Sequence, residues 1–373
     1  MPDWENLETV RHISVRLSMW NPATLGVGIC RYEKLRTLLF LPRFEIHGLS
    51  IFVLRDLFSK LKLLRVLGLR HCEIKEVPES IGDMKHLRYL DLSGNPLLRH
   101  LPESLGDLYN LQTLKVEGCG SLRALPARTS ELTNLRHLQA DDELVSDIDG
   151  LGKLTNLEEL SVRGRKVREL GGMSMLRKLS IWNLEEVESK EEVLQIRLKR
   201  MECLEVLRLE WSAQRQRGPM PMNSEVAAVE EEEGVLQALQ PNGNSIQELR
   251  IWGYMGARSP NWMEAPTVGS FSGLRYVVVG CCPNWKALPS SLSQLPVLES
   301  LVITSMPRWE EWDGDHSNSH QDPCSDTPYF PCLRELQIVD CPKLGELLLL
   351  PPKLRNLRLE KVGLSHLPGL RGH

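Results

Sequence analysis

One short pattern recurs along most of the chain: an apolar residue, two residues of any kind, a second apolar residue, one residue of any kind and a third apolar residue. Leu87, Leu90 and Leu92 form one copy, and the next begins at Leu111. No copy has enough apolar residues for a core of its own, so the chain has to be built as a row of similar units. Fourteen copies begin at Val10, Leu35, Leu64, Leu87, Leu111, Leu135, Leu157, Leu176, Leu204, Ile246, Leu274, Leu298, Leu333 and Leu354.

The spacing of these copies indicates a leucine-rich repeat. Successive copies begin 19 to 42 residues apart, and most spacings are near the 20–29 residues typical of that repeat. Each copy predicts one short strand whose alternate residues point to opposite faces, with Leu90 facing the core and Tyr89 and Asp91 facing away. The predicted fold class is α/β: a leucine-rich-repeat solenoid shaped as a curved horseshoe of about 14 repeats, with a parallel sheet on the concave face and short helices and irregular turns on the convex face.

The pattern predicts a single leucine-rich-repeat domain over residues 1–373, with two insertions. Segment 211–245 contains a polar stretch, the run Glu230 to Glu233 and then VLQAL at helical spacing, which together predict an acidic loop plus a short helix. Segment 313–331 is rich in Asp, Ser and Pro and predicts a polar loop. Because the first copy begins so near Met1 and the last is followed only by GLSHLPGLRGH, we expect a fragment of a longer protein.

Charge and hydropathy exclude several classes of protein. The 45 basic and 49 acidic side chains leave a formal charge of −4, too balanced for the one-sided field that binds nucleic acid. No apolar run is long enough for a signal peptide or a membrane span. Nine cysteines without paired spacing fit reduced thiols. We therefore expect a cytoplasmic protein with no nucleic-acid partner and no integral membrane segment.

Four cysteines and one asparagine share one place in their repeats, eight residues after the first apolar residue. They are Cys72, Cys119, Cys282, Cys341 and Asn95. A small buried hydrogen-bond donor at this place can satisfy backbone carbonyls where the chain turns off the strand. The shared position therefore predicts a structural role for these side chains.

The remaining chemical signals are weak. His316, His320, Cys324 and Cys332 could in principle bind zinc, but their spacing fits no zinc pattern, and incidental polar residues of a loop are the preferred interpretation. The chain contains no phosphate-binding loop, no dinucleotide-binding glycine motif and no nucleophile elbow. We predict a non-enzymatic chain with no catalytic residue, no metal and no cofactor of its own.

The outward strand positions are the candidates for binding. Across the four copies from Leu157 to Ile246, aromatic and guanidinium groups fall in neighbouring columns, and these groups dominate the binding energy of protein interfaces. An alternative stays open: Trp182 and Trp252 could instead cover neighbouring apolar surface or pack under segment 211–245. The predicted protein-binding residues are Arg163, Trp182, Arg208, Glu210, Arg250 and Trp252.

Longer stretches add a family resemblance. Residues 64–126, which begin LRVLGLRHCEIKEVPESIG, resemble the repeats of plant intracellular disease-resistance proteins with a coiled coil, a nucleotide-binding module and leucine-rich repeats. Residues 235–263, 281–303 and 330–344 resemble later segments of the same family, in the same order. The resemblance implies a recognition and autoinhibitory domain that binds a pathogen effector or a guarded host protein and holds the nucleotide-binding module inactive.

That resemblance has limits. It would place ATP or ADP in an upstream nucleotide-binding module, if the full-length protein has one, and on no residue of this chain. Residues 1–110 carry 15 basic and 13 acidic side chains, so their totals give no electrostatic sign of a surface for that module. The alternative function is a non-immune intracellular leucine-rich-repeat scaffold or substrate adaptor, which would share the architecture.

Overall fold

The computed structural model describes residues 9–16, 27–41, 48–212, 222–264, 271–313, 330–345, 347 and 350–364. The chain divides into two compact units, with the boundary between Val162 and Arg163. Most of segment 313–331, including His316, His320 and Cys324, lies outside the described residues. The division into one domain with two insertions stays a prediction.

Short parallel strands form two large sheets. The first contains β1 (His12–Arg16), β2 (Thr37–Leu41), β3 (Val66–Gly68), β4 (Tyr89–Asp91), β5 (Thr113–Lys115) and β6 (His137–Gln139), in chain order. The second contains β7 (Glu159–Arg163), β8 (Lys178–Trp182), β9 (Val206–Glu210), β10 (Glu248–Trp252), β11 (Tyr276–Gly280), β13 (Ser300–Thr304), β15 (Glu335–Cys341) and β16 (Asn356–Val362). The strands β12 (Ala287–Pro289) and β14 (Glu311–Asp313) form a small parallel sheet of their own.

The strands lie where the periodicity predicts them. Each strand of the two large sheets begins two residues after the first apolar residue of a copy. Leu67, Leu90 and Leu114 are aligned on neighbouring strands and fully buried, whereas Tyr89 and Asp91 are half-buried on the opposite face. The predicted leucine-rich-repeat solenoid is therefore confirmed, and the number of repeats stays a prediction.

The return segments are short helices. Three 3₁₀ helices, Glu79–Asp83, Glu103–Asp107 and Ala127–Glu131, each follow a proline, whose fixed φ suits the residue that enters a helix. Other 3₁₀ helices are Leu151–Lys153, Gly164–Gly172, Leu184–Glu186, Leu198–Arg200 and Ser290–Gln294. The α-helices are α1 (Ile51–Lys60), α2 (Asp142–Ser146), α3 (Lys190–Ile196), α4 (Met222–Ala238) and α5 (Asn261–Glu264).

Helix α4 is longer than the short helix that the sequence predicted. It begins at Met222 and contains the whole glutamate run, which the sequence pattern places in an acidic loop. Glu232 and Glu233 accept hydrogen bonds of 3.0 Å from the backbone N–H groups of Met255 and Ala257. The run therefore satisfies donors of the segment that follows β10, and these bonds hold the helix in place.

The same use of carboxylates recurs between the return segments. Glu103 accepts hydrogen bonds of 3.1 Å from the backbone N–H groups of Ala127 and Arg128, which begin the next 3₁₀ helix. Glu185 accepts one of 2.9 Å from Ser212. The first N–H groups of the helix Ala127–Glu131 have no partner inside that helix, so the Glu103 carboxylate of the preceding repeat supplies one.

Asn95 joins two repeats at the point where the chain leaves β3 and β4. Its Oδ1 accepts hydrogen bonds of 3.0 Å from the backbone N–H groups of Cys72 and Ile74. Its Nδ2 donates to the carbonyls of Leu69 and Leu92 at 3.0 and 2.6 Å. Asn95 is completely buried, so these main-chain groups have no water to bond instead.

The cysteines at the corresponding place act in a similar way. The thiols of Cys72, Cys282 and Cys341 donate to the carbonyl two residues earlier at 3.1 to 3.4 Å, and Cys119 donates to Leu92 at 3.3 Å. This confirms their predicted structural role. Burial raises the pKa of Cys72 and of Cys282 to about 12, which keeps both thiols protonated and unreactive.

We predict that Asn95→Ala costs about 3 kcal/mol or more of unfolding free energy, because four buried main-chain groups each lose a hydrogen bond, although the Leu92 carbonyl keeps the Cys119 thiol as a donor. Asn110→Ala is the matched control: Asn110 is half-buried and makes one hydrogen bond, 2.8 Å to the carbonyl of Lys85, so its loss should cost about 1 kcal/mol. Urea denaturation followed by circular dichroism measures both. Equal losses would show that Asn95 has no special role.

We also predict that Cys203, which is exposed, reacts with iodoacetamide at pH 8, whereas Cys72 and Cys282 react only after unfolding. Folding raises the pKa of the two buried thiols, so the unfolded state releases their protons first. Their contribution to stability is therefore complete below the usual thiol pKa of about 8.5 and declines as the pH rises above it. Mass spectrometry of alkylated peptides checks the order of reaction, and rapid labelling of Cys282 in the folded chain would contradict it.

Candidate protein-binding face

The predicted binding residues all lie on the outward face of the second sheet. Arg163 ends β7 and Trp182 ends β8. Strand pairing places Arg208 of β9 beside Arg250 of β10, and it places Glu210 beside Trp252. The structure therefore brings four of the six residues into one block, with Arg163 and Trp182 as a second group. Whether a ligand binds here stays a prediction.

Two arginines stack on the two tryptophans. The guanidinium carbon of Arg163 lies 4.6 Å from the ring centre of Trp182, and that of Arg250 lies 4.8 Å from the ring centre of Trp252. These distances are those of cation–π contacts. The indole Nε1 of Trp182 is enclosed and bonds no acceptor among the described residues, so stacking rather than a hydrogen bond orients that ring.

Trp252 also rests on the neighbouring strand. A Cβ atom added to Gly280 would lie 2.4 Å from Cζ3 of Trp252, so glycine leaves the space that the indole occupies. Trp182 and Trp252 are half-buried, whereas Trp211, Trp285 and Trp309 are buried in the core. Trp252 therefore covers part of the neighbouring strand, as the alternative interpretation expects, and the rest of its ring faces solvent.

Charges within the face are paired with each other. Nε and Nη2 of Arg208 both lie 2.9 Å from Oε1 of Glu248, a residue that our prediction did not include. Nε of Arg250 lies 3.5 Å from Oε1 of Glu210, which is close enough for an ion pair but long for a hydrogen bond. The charges of Arg208, Glu210, Glu248 and Arg250 therefore nearly cancel, and the Trp252 ring lies beside these ion pairs.

A row of arginines in the first unit was missed by the sequence reasoning. Arg36, Arg65 and Arg88 each follow the first apolar residue of a repeat, so they lie side by side immediately before β2, β3 and β4. All three are exposed, and no carboxylate among the described residues pairs with them. We call them the arginine row. The nearly equal numbers of basic and acidic side chains in residues 1–110 do not reveal the arginine row, because the two kinds of residue occupy different positions of the repeat.

The same column in the second unit behaves differently. Arg177 lies 2.6 Å from Glu205, and Arg275 and Arg334 lie 2.6 and 3.2 Å from the two oxygens of Glu299. Like charges on adjacent strands repel, so the unpaired row of the first unit carries a cost that the second unit avoids. Reading the repeats column by column would have revealed this difference.

The described part of the chain contains neither a metal-binding cluster nor a membrane-spanning helix. In that part of the chain, no group of three or more His, Cys, Asp or Glu side chains could hold a metal ion. Cys332, the described member of the weak cluster, has its thiol 3.5 Å from the ammonium of Lys353. None of the described helices is long and apolar enough to cross a membrane.

Comparison with known proteins supports the fold. A family model described as a leucine-rich repeat region matches residues 44–370. Among solved structures, a leucine-rich-repeat protein of Leptospira interrogans matches with a TM-score of 0.57 and 19% sequence identity, covering 96% of this chain and 80% of that chain. At that identity the likeness concerns the fold alone.

Curated relatives are more specific. Putative disease resistance protein RGA1 of Solanum bulbocastanum is 40% identical over 300 residues, which cover 79% of this chain and 28% of that protein. A putative disease resistance protein of Arabidopsis thaliana is 32% identical over 379 residues, which cover 90% of this chain and 26% of that protein. The chain thus spans about a quarter of the length of these relatives. It belongs to the leucine-rich-repeat family, whose repeats are typically non-enzymatic protein-interaction modules, and its sequence is similar to one segment of these disease resistance proteins.

Proposed function

We propose that the chain is the ligand-sensing and autoinhibitory domain of a cytoplasmic plant immune receptor. Its outward face on β7 to β10 would bind a pathogen effector or a guarded host protein. The observation that carries this proposal is the pair of arginine–tryptophan stacks at 4.6 and 4.8 Å. Side chains already ordered in the free protein lose little entropy on binding, and Trp and Arg are the strongest contributors to interface affinity.

A scaffold or substrate adaptor outside immunity would share this architecture. The relatives with 40% and 32% identity carry the name disease resistance protein, which favours the immune interpretation.

The arginine row supports the autoinhibitory half of the proposal. At about 4.8 Å between strands, Arg36 and Arg88 lie about 10 Å apart. Carboxylates at positions i and i+7 of an α-helix are separated by about 10.5 Å, and one at i+4 falls between them. We infer that an acidic helical segment of the receptor's nucleotide-binding module docks on the row and holds the module inactive.

We predict that the combined change Trp182→Ala, Arg208→Ala, Arg250→Ala and Trp252→Ala lowers ligand affinity at least about 100-fold, because it removes both stacks. Biolayer interferometry against a panel of purified pathogen effectors identifies the ligand and measures the loss. The control changes Tyr109, Arg177, Arg275 and Arg334 to alanine, which removes an exposed ring and three arginines outside the face. Unchanged affinity in the first variant, with its folding intact, would show that the ligand binds elsewhere.

We predict that Arg65→Glu abolishes binding of an acidic helical peptide with glutamates at i, i+4 and i+7 without lowering the unfolding midpoint. The new carboxylate would lie between Arg36 and Arg88 and pair with them, so repulsion in the row falls. Fluorescence anisotropy at low and high salt measures the binding, which should weaken as salt rises.

Arg275→Glu provides the mirror-image control for this prediction. It places a carboxylate beside Glu299, so the unfolding midpoint should fall while peptide binding stays the same. If the peptide bound both variants equally well, the arginine row would not be its site.

A further inference from the structure

Beside the candidate face lies a shallow trough two strands wide. Its floor is Val278 of β11 and Val302 of β13, which pair in register and are half-buried on the outward face. Tyr276 stands at one end of the floor, and the residue is 45% exposed. Thr304 stands at the other end, beside Gly280. None of these outward residues on β11 and β13 is charged, so the trough offers an apolar surface.

Longer side chains on the flanking strands form the walls. On one side, Arg250 is level with Val278, and Trp252 lies across Gly280. On the other side, Gln337 of β15 is level with Val302. The Cα atoms of β10 and β15 are three strand spacings apart, about 14 Å, which is wider than one aromatic ring.

Charged groups at the rim already have partners. Arg250 is paired with Glu210, and Glu335 accepts hydrogen bonds from Ser300 and Gln337 at 2.9 and 2.7 Å. An ionic ligand group would have to compete with these partners. The trough therefore favours an uncharged occupant.

Two neutral hydrogen-bonding groups at the rim remain available. The hydroxyl of Tyr276 bonds no group among the described residues. Gln337 donates through Nε2 to Glu335, which leaves its carbonyl oxygen able to accept a bond. Pockets in protein interfaces commonly combine an apolar floor with a polar rim. Here the floor can bind one apolar side chain of a ligand, and the rim can bond the main-chain amides next to that side chain.

We propose that this trough receives an aromatic side chain from a loop of the protein ligand, with the neighbouring main-chain amides of that loop bonded to Tyr276 and Gln337. The aromatic class follows from the rings of Trp252 and Tyr276, which can meet a third ring edge to face. This inference rests on the proposed function, since it adds the chemistry of the anchoring residue to the same sheet face.

The test titrates the full chain with a blocked amino acid, N-acetyl-L-phenylalanine methylamide, and follows ¹³C-labelled valine methyl groups by NMR. We expect saturable shifts at Val278 and Val302 and none at Val206, which is on the same face at β9. The glutamate analogue of the probe should bind at least about tenfold more weakly. Raising sodium chloride should change the affinity for the phenylalanine probe less than twofold.

The combined change Val278→Ser and Val302→Ser should weaken binding at least about tenfold, and Val206→Ser should leave it unchanged. Val278→Thr with Val302→Thr keeps the side-chain volume and serves if the serine variant fails to fold. The proposal is wrong if no saturable shift occurs, if Val206 shifts equally, or if the two probes bind alike. Because the probe is not the natural ligand, these outcomes are separate from the effector measurement, which can succeed or fail independently.

Discussion

Where each strand ends, some backbone N–H and C=O groups have no partner within their own repeat. They form hydrogen bonds with the adjacent repeat, and this requirement links each repeat to the next along the chain. Asn95 meets it with four hydrogen bonds that span two strands. Cys72, Cys282 and Cys341 meet it with a single thiol donor each. On the return side, Glu103 and Glu232 do the same for the first N–H groups of the next segment. A repeat is thus completed by its neighbour, both in its apolar core and in its polar backbone.

This arrangement separates folding from recognition. The inward leucines and the residues at strand exits hold the scaffold, so the outward columns can differ from strand to strand without altering the backbone. The two units use that freedom in opposite ways. In the first unit, Arg36, Arg65 and Arg88 leave positive charge unpaired, which suits a salt-sensitive contact. In the second, Arg208 and Arg250 are neutralised by Glu248 and Glu210, which suits a contact dominated by ring packing.

The strands could be predicted from the sequence because their signal is local: buried Leu90 and its equivalents recur at a fixed spacing. The alignment of Arg208 with Arg250 could also be predicted, since parallel strands in register keep equal positions together. The support of Trp252 by Gly280 could not, because it depends on a residue 28 positions later whose relevance is its missing side chain. The length of helix α4 was underestimated for a similar reason: its glutamates bond backbone N–H groups more than 20 residues away, which no helical periodicity reveals.

The forward-reaching glutamates also bear on how such a gene can change by recombination. Glu79 and Glu103 occupy equal positions 24 residues apart, and each bonds the start of the following return segment. Suppose that this 24-residue repeat were duplicated in phase. The return segment of the new copy would then donate to the glutamate of the preceding repeat, and the glutamate of the new copy would accept from the following repeat. Helix α4 is different, because Glu232, Glu233 and Gln237 together fit the single segment from Met255 to Asn261. Exchange of modules is therefore physically easy in the first unit, whereas α4 and the segment after β10 have to be inherited together.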